Sequence, residues 1–317
     1  MDYWLHTYEK DLRLVFQDCS RIISGFPEPL DMAGHSYLDH FNVFCTGSRN
    51  NYICYLLPFW MQEGCSLTIE NTRQMSVGNV FLMLYFFIQD DLMDSLGPNS
   101  SDKLPLANLL YIEFLNIYRA LFPYPSTFWT YFNRYIAEWA DSVTNERTSD
   151  YFLNDPMKIA RKASPLKLSS TAALLLSGQS SLVTPAETML DHVLLTLQML
   201  DDYEDWEEDL SIGNANNCLL SLVRSRLAIT HEELTAEKVK DFIYTADGLA
   251  EYAARAQDNH NRLPDCRLMA PRLTAFHSGM IRNLQQIAAE ITREKLLLQH
   301  GGLYYWLSKN MTQDPKQ

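Results

Sequence analysis

Residues 80–88 read VFLMLYFFI and run straight into QDDLMD. On a helical period this stretch is apolar on every face, and such a helix has to be enclosed by protein. It is too short to cross a bilayer. Three acids, Asp90, Asp91 and Asp94, therefore stand at the end of a helix bound for a core. A second stretch, LQMLDDYEDWEED at 197–209, repeats the arrangement with Asp201, Asp202 and Asp205.

The rest of the chain reads as helix nearly throughout. Apolar residues at helical spacing predict helices over 3–24, 72–95, 104–121, 125–146, 154–178, 184–209, 234–257 and 270–298. Breaks are expected at GPNSS (97–101), at PYPS (123–126) and inside 154–178 at Pro165, whose ring clashes with the preceding turn. No alternating strand pattern, repeat or low-complexity linker interrupts this. The expectation is one all-α domain over residues 1–310, with roughly ten to twelve helices packed as a bundle. Residues 311–317, following the short apolar stretch GGLYYWLSK, form a tail expected to fray.

Composition narrows the function. Hydrophobic residues make up 47% of the 317, enough for a sizeable core. With 26 basic and 39 acidic residues the formal net charge is −13, which argues against a nucleic-acid partner. An anionic substrate would need cations supplied at its site. The six cysteines (Cys19, Cys45, Cys54, Cys65, Cys218, Cys266) form no C-x-x-C pair and read as small buried hydrophobes of a reducing compartment. The N-terminus lacks the apolar stretch of a signal peptide. These features predict a soluble, cytoplasmic protein without stable membrane insertion. The eight histidines show no ligand spacing, and neither a P-loop nor a dinucleotide fingerprint is present.

The acids themselves point to a metal. Asp90 and Asp94 are four apart and share a helix face, as do Asp201 and Asp205, with Asp209 one turn further. Like charges at that spacing repel and want a cation. Hard oxygen ligands suit Mg²⁺, which takes few protein carboxylates and is completed by water and substrate phosphates. Two such clusters on different helices of a bundle can face one another and hold several Mg²⁺ ions over one diphosphate. The bland alternative is a pair of solvated acidic helix ends, which is electrostatically unfavourable at a helix C-terminus.

These paired motifs resemble those of the class I isoprenoid synthase superfamily, the trans-isoprenyl diphosphate synthases and class I terpene synthases. The resemblance extends over most of the chain in helical pattern, length and motif order. It implies a helical bundle with the active site in a central cavity, three Mg²⁺ ions and a prenyl diphosphate substrate. By resemblance, Asp90, Asp91 and Asp94 match the first motif, and Asp201, Asp202 and Asp205 match the second motif of the prenyl synthases. In the cyclase pattern the ligands would be Asp201, Asp205 and Asp209, with Glu208 as an alternative last ligand. ARKASPLKLSS (160–170) resembles both the Lys-Thr/Ala segment of the synthases and the broken helix of the cyclases. There the resemblance makes Arg161 and Lys162 candidates to bind diphosphate. Arg282 matches the position of a downstream diphosphate-closing arginine, with Arg272 and Arg293 as competitors.

The resemblance leaves two activities to weigh. An elongating synthase holds isopentenyl diphosphate through a Gly-Gly-Lys-Arg-like segment near the N-terminus and an arginine pair after the first motif. Here TGSRNNY offers only Arg49, and SLGPNSSDK has no arginine pair. The leading expectation is therefore a one-substrate terpene synthase that ionises a linear allylic diphosphate and cyclises or deprotonates the cation. The alternative is an isoprenyl diphosphate synthase, and the remote one a non-catalytic scaffold. Candidate pocket aromatics are Phe86 and Phe87, one turn before the first cluster, with Tyr85, Phe59 and Trp60. Bulky Tyr85 and Phe86 would favour a short product if the chain is a synthase. A homodimer is the default assembly.

Overall fold

A computed structural model of the chain describes residues 2–49, 51–94, 103–213, 216–263, 270–299, 301–302 and 307. Among them there is no strand. Fifteen α-helices follow one another: α1 (Asp2–Ile23), α2 (Leu30–Phe41), α3 (Tyr52–Gln62), α4 (Ile69–Asp94), α5 (Lys103–Leu121), α6 (Phe128–Thr144), α7 (Tyr151–Asn154), α8 (Met157–Arg161), α9 (Lys167–Leu176), α10 (Val183–Glu204), α11 (Trp206–Ile212), α12 (Cys218–Leu227), α13 (Ala236–Tyr244), α14 (Gly248–Asn261) and α15 (Pro271–Gln299). No described helix is long and apolar enough to cross a membrane.

The contacts divide the chain into two compact units. The first comprises residues 1–139, 163–187 and 265–273. Its axis is α4, which packs against α1, α3, α5 and α9. Val80, Phe81 and Leu84 of α4 meet a core built from Leu12, Val15, Leu57, Trp60, Leu110 and Phe114, all almost wholly buried. Fully burying one such side chain stabilises the fold by ~1.5–3 kcal/mol. Helix α4 approaches α5 closely at Gly78, where an added Cβ would stand 2.9 Å from the Tyr118 ring. Only glycine lets α4 and α5 pack this tightly.

The second unit comprises residues 140–162, 188–264 and 274–317. Its core joins Val193, Leu195 and Met199 of α10 to Leu219 and Val223 of α12, Phe242 of α13 and Tyr252 of α14. The Tyr252 hydroxyl donates to the Met199 carbonyl at 2.7 Å.

Five of the eight predicted helices form as single helices close to the expected bounds, and the other three divide. The 154–178 stretch separates into the end of α7, α8, a 3-10 turn at Ser164–Leu166 and α9, with Pro165 at the turn as its chemistry demands. The 184–209 stretch breaks at Asp205, and 234–257 breaks at 245–247, where Asp247 adopts a positive φ of 56°. Helices α2, α3 and α12 form where periodicity gave no prediction. The described cysteines are free, and Cys19, Cys65 and Cys218 are buried. The GPNSS break, Cys266 and the 311–317 tail lie outside the described residues.

Candidate active site

The first acidic cluster closes α4 in the first unit. Asp90 is exposed and Asp91 half-buried. The Asp94 side chain lies outside the described residues. Asp91 pairs with Lys103 at the start of α5, 2.6 Å away. It also accepts a hydrogen bond from Tyr37 of α2. Burial, then the charges of Asp91 and Asp90, push the Tyr37 phenol well above its usual pKa, and Arg49 partly offsets them. Arg49, set aside in the sequence as a stray candidate, thus lies in the electrostatic environment of this cluster. The backbone brings it there through a hydrogen bond from the Arg49 N–H to the His40 carbonyl at 2.8 Å.

Below these acids the aromatic residues fall into two groups. Phe86 meets Tyr85 and Trp139 edge-on, with ring centroids 4.9 and 4.8 Å apart. Tyr85 stacks on Tyr111 at 4.6 Å. All four rings are half-buried, forming a partly open aromatic wall one turn beneath the acids. Phe87 turns the other way, against Phe41 of α2. Phe59 and Trp60 have no exposed surface and serve the core of the unit, Phe59 packing on Tyr8 at 5.2 Å.

The second cluster lies in the second unit, where α10 passes into α11. The helical hydrogen bonds continue through the break, from the Asp205 N–H to the Asp201 carbonyl at 2.9 Å and from the Asp209 N–H to the Asp205 carbonyl at 3.0 Å. Asp201, Asp205 and Glu208 are exposed, and Asp209 is half-buried. Desolvation by surrounding protein, then the charges of Asp202, Asp205, Glu204 and Asp209, push the Asp201 carboxyl up to about 6.

Asp202 behaves differently from its neighbours. Only 5% exposed, it accepts from the Cys218 N–H at 2.6 Å and from the Gln198 amide at 2.7 Å. Burial raises its pKa, opposed by these bonds and by the charge of Lys162. The carboxylate satisfies an orphan N–H at the start of α12 and fixes that helix to α10. The aspartate repeat alone did not distinguish this anchor from an exposed acid.

The basic candidates also separate. Lys162, just after α8, forms an ion pair with Glu146, and its charge reaches Asp202. Arg161 ends α8 and is half-buried. Arg282 and Arg293 are exposed on α15. Arg272 pairs with Glu63 and covers the Tyr8 ring at 5.1 Å. Sequence reasoning missed Lys167, the first residue of α9. It is 2% exposed, 2.9 Å from Glu138 and over the Tyr135 ring at 5.1 Å. Desolvation alone would raise the Glu138 carboxyl, but Lys167, Ser164 and Arg134 outweigh it and hold it below the usual range. The signal was available: KLSS directly follows the proline break.

Among the described residues no three His, Cys, Asp or Glu side chains converge into a ready-made metal centre. The crowding around Asp201 shows carboxylates that a bound divalent cation would relieve.

No protein-family model and no curated protein matches the chain in sequence. Solved structures do match in fold. Geranylgeranyl pyrophosphate synthetase from the archaeon Geoglobus acetivorans aligns with a TM-score of 0.62 at 15% identity, covering 86% of this chain and 98% of that one. Geranylgeranyl pyrophosphate synthase from Lactobacillus brevis aligns with a TM-score of 0.60 at 16% identity, covering 89% and 98%. The chain has the all-α fold of the class I isoprenoid synthases.

Proposed function

We propose that the chain is a Mg²⁺-dependent isoprenyl diphosphate synthase, condensing isopentenyl diphosphate with an allylic diphosphate and releasing diphosphate. The observation that carries this reading is the likeness in fold to two geranylgeranyl pyrophosphate synthases, each covered over 98% of its length. Two basic residues stand near the first cluster: Lys103 pairs with Asp91, and the charge of Arg49 is felt at Tyr37.

In this reaction the allylic C–O bond breaks, the alkene of isopentenyl diphosphate attacks the cation, and a proton leaves. Asp90, Asp91 and Asp94 of the first unit, and Asp201, Asp205 and Asp209 of the second, are the acids that would hold Mg²⁺. The metal supplies Lewis-acid charge to the departing diphosphate. Arg161 and Lys162 add fixed positive charge for that group. Tyr85, Phe86, Tyr111 and Trp139 shield the cation from water and present π faces to it. The same wall limits the space for the growing chain, favouring a short product.

A second reading, a terpene synthase acting on one diphosphate, draws on residues 95–102, SLGPNSSD, which contain no arginine. Incubation with farnesyl or geranylgeranyl diphosphate, with and without isopentenyl diphosphate, separates the two. A longer diphosphate formed only with isopentenyl diphosphate supports the synthase. A hydrocarbon or alcohol formed without it supports the cyclase. Failure to release diphosphate from any prenyl diphosphate would leave a non-catalytic helical protein.

A further inference from the structure

Helix α6 supplies Trp139 to the aromatic wall, and the residues beside it are fastened to α9 inside the first unit. Near the start of α6, Phe128 and Phe132 stack on Tyr118 and Phe114 of α5, with ring centroids 5.1 and 6.2 Å apart. Towards its end the contacts become polar. Tyr135, one turn before Trp139 and fully buried, accepts from the Thr171 hydroxyl at 2.7 Å and donates to Glu187. Glu138, next to Trp139 in the chain, accepts at Oε2 from the Ser164 hydroxyl at 2.7 Å and from the Lys167 ammonium at 2.9 Å. Ser164 has no exposed surface and Lys167 has almost none. These two donors stand on either side of Pro165, at the break that precedes α9.

We propose that Glu138 is a positioning residue for product length: through Ser164 and Lys167 it holds the end of α6, and with it the Trp139 ring, 4.8 Å from Phe86. The inference rests on the reading that the wall of Tyr85, Phe86, Tyr111 and Trp139 bounds a growing prenyl chain. A buried ion pair does little for stability, because desolvating the two charges offsets much of their attraction, and apolar residues of similar volume often serve the fold as well. What this pair adds is direction. One carboxylate oxygen takes two donors from a rigid proline turn, which fixes the register of α6 against α9. Trp139 follows Glu138 by one residue, so any shift of that register moves its ring relative to Phe86. With the anchor gone, the wall opens at Trp139 and the pocket deepens.

Stability and positioning can be separated. A triple variant, Glu138→Met with Lys167→Met and Ser164→Ala, removes the pair and leaves neither a buried charge nor an orphaned hydroxyl. Its unfolding midpoint should stay near that of the parent. Given isopentenyl diphosphate and an allylic diphosphate, it should shift the main product to the next longer prenyl diphosphate, read by chromatography. Trp139 is followed without turnover through the fluorine resonance of fluorotryptophan-labelled protein, assigned with Trp139→Phe, and that resonance should move in the triple variant. Glu138→Gln, which keeps an oxygen for Ser164 but drops the charge paired with Lys167, should move both readouts in the same direction by less, and is read in place of the triple variant if that fails to fold. Asp11→Asn is the control: it breaks the half-buried ion pair with Arg73 in the same unit and should leave both readouts unchanged. Parental product length in a folded triple variant overturns the inference, as does an equal change in Asp11→Asn. Parent protein that elongates no allylic diphosphate overturns the proposed reaction. The Trp139 resonance then decides the positioning alone: a shift in the triple variant upholds it, and an unmoved resonance removes it.

Discussion

Asp201 and Asp202 are adjacent in one motif, yet their removal should change stability in opposite directions. Asp202→Ala leaves the buried Cys218 N–H and the Gln198 amide without their acceptor. Orphaning such donors costs ~1–3 kcal/mol each, and relief of the buried charge offsets part of it. A net loss of ~2 kcal/mol is expected. Asp201→Asn removes a carboxylate that folding itself opposes. Its carboxyl rises from the usual 3.8 to about 6. At 1.36 kcal/mol per unit that is ~3 kcal/mol, which solvent screening of an exposed group reduces to ~1 kcal/mol. Between about pH 4 and 6 the folded state holds more of this proton than the unfolded one, so stability falls as pH rises through that window. Asp201→Asn should therefore stabilise the metal-free protein by ~1 kcal/mol at pH 7, with the gain vanishing near pH 4. Urea unfolding in chelator, at pH 7 and pH 4, reads both variants. If Asp202→Ala unfolds like the parent, or Asp201→Asn is the less stable at pH 7, the assigned roles are wrong.

Three further outcomes bear on the reaction. Chelation should abolish diphosphate release and Mg²⁺ should restore it, and turnover that persists in excess chelator would remove the metal assignment. Arg49→Ala should raise KM for isopentenyl diphosphate by ~10–100-fold, consistent with losing one charge-assisted bond of ~1.5–3 kcal/mol, with a smaller change for the allylic substrate; equal changes for both would argue against a separate site. Phe86→Ala should open the aromatic wall and lengthen or redirect the product, read by chromatography, whereas Phe87→Ala should chiefly lower stability through its contact with Phe41, by less than the ~3–5 kcal/mol of a fully buried Phe.

Legibility in the sequence followed the physics of each element. Helix α4 was plain because a run apolar on all sides can only be enclosed, and the structure makes it the axis of its unit. The proline break was plain because Pro165 excludes a continuous helix. Helices α2 and α3 were not. LDMAGHSYLDHF mixes polar residues and glycine in a short stretch, and YICYLLPFWMQ is apolar enough to hide any period and carries Pro58 inside it. Short helices draw their stability from packing more than from propensity, so the local pattern underdetermines them. Helix α12 was missed for a related reason: its beginning is fixed by Asp202, sixteen residues upstream, as much as by its own cap.

The acids teach the same point at the level of the site. Spacing identified which residues can share a helix face, and so marked the two clusters as candidates. It could not show which oxygen atoms already have donors. Asp201 and Asp202 differ by one residue, or about 100° around the helix, and that rotation turns one carboxylate among its fellow acids and the other onto the start of α12. Asn217, whose amide donates to Oδ2 of Asp209 at 2.7 Å, is invisible to any motif drawn from acids because its contribution is a donor. With Asp209 tethered and Asp202 withdrawn into the scaffold, the geometry of the second cluster is partly set by α12.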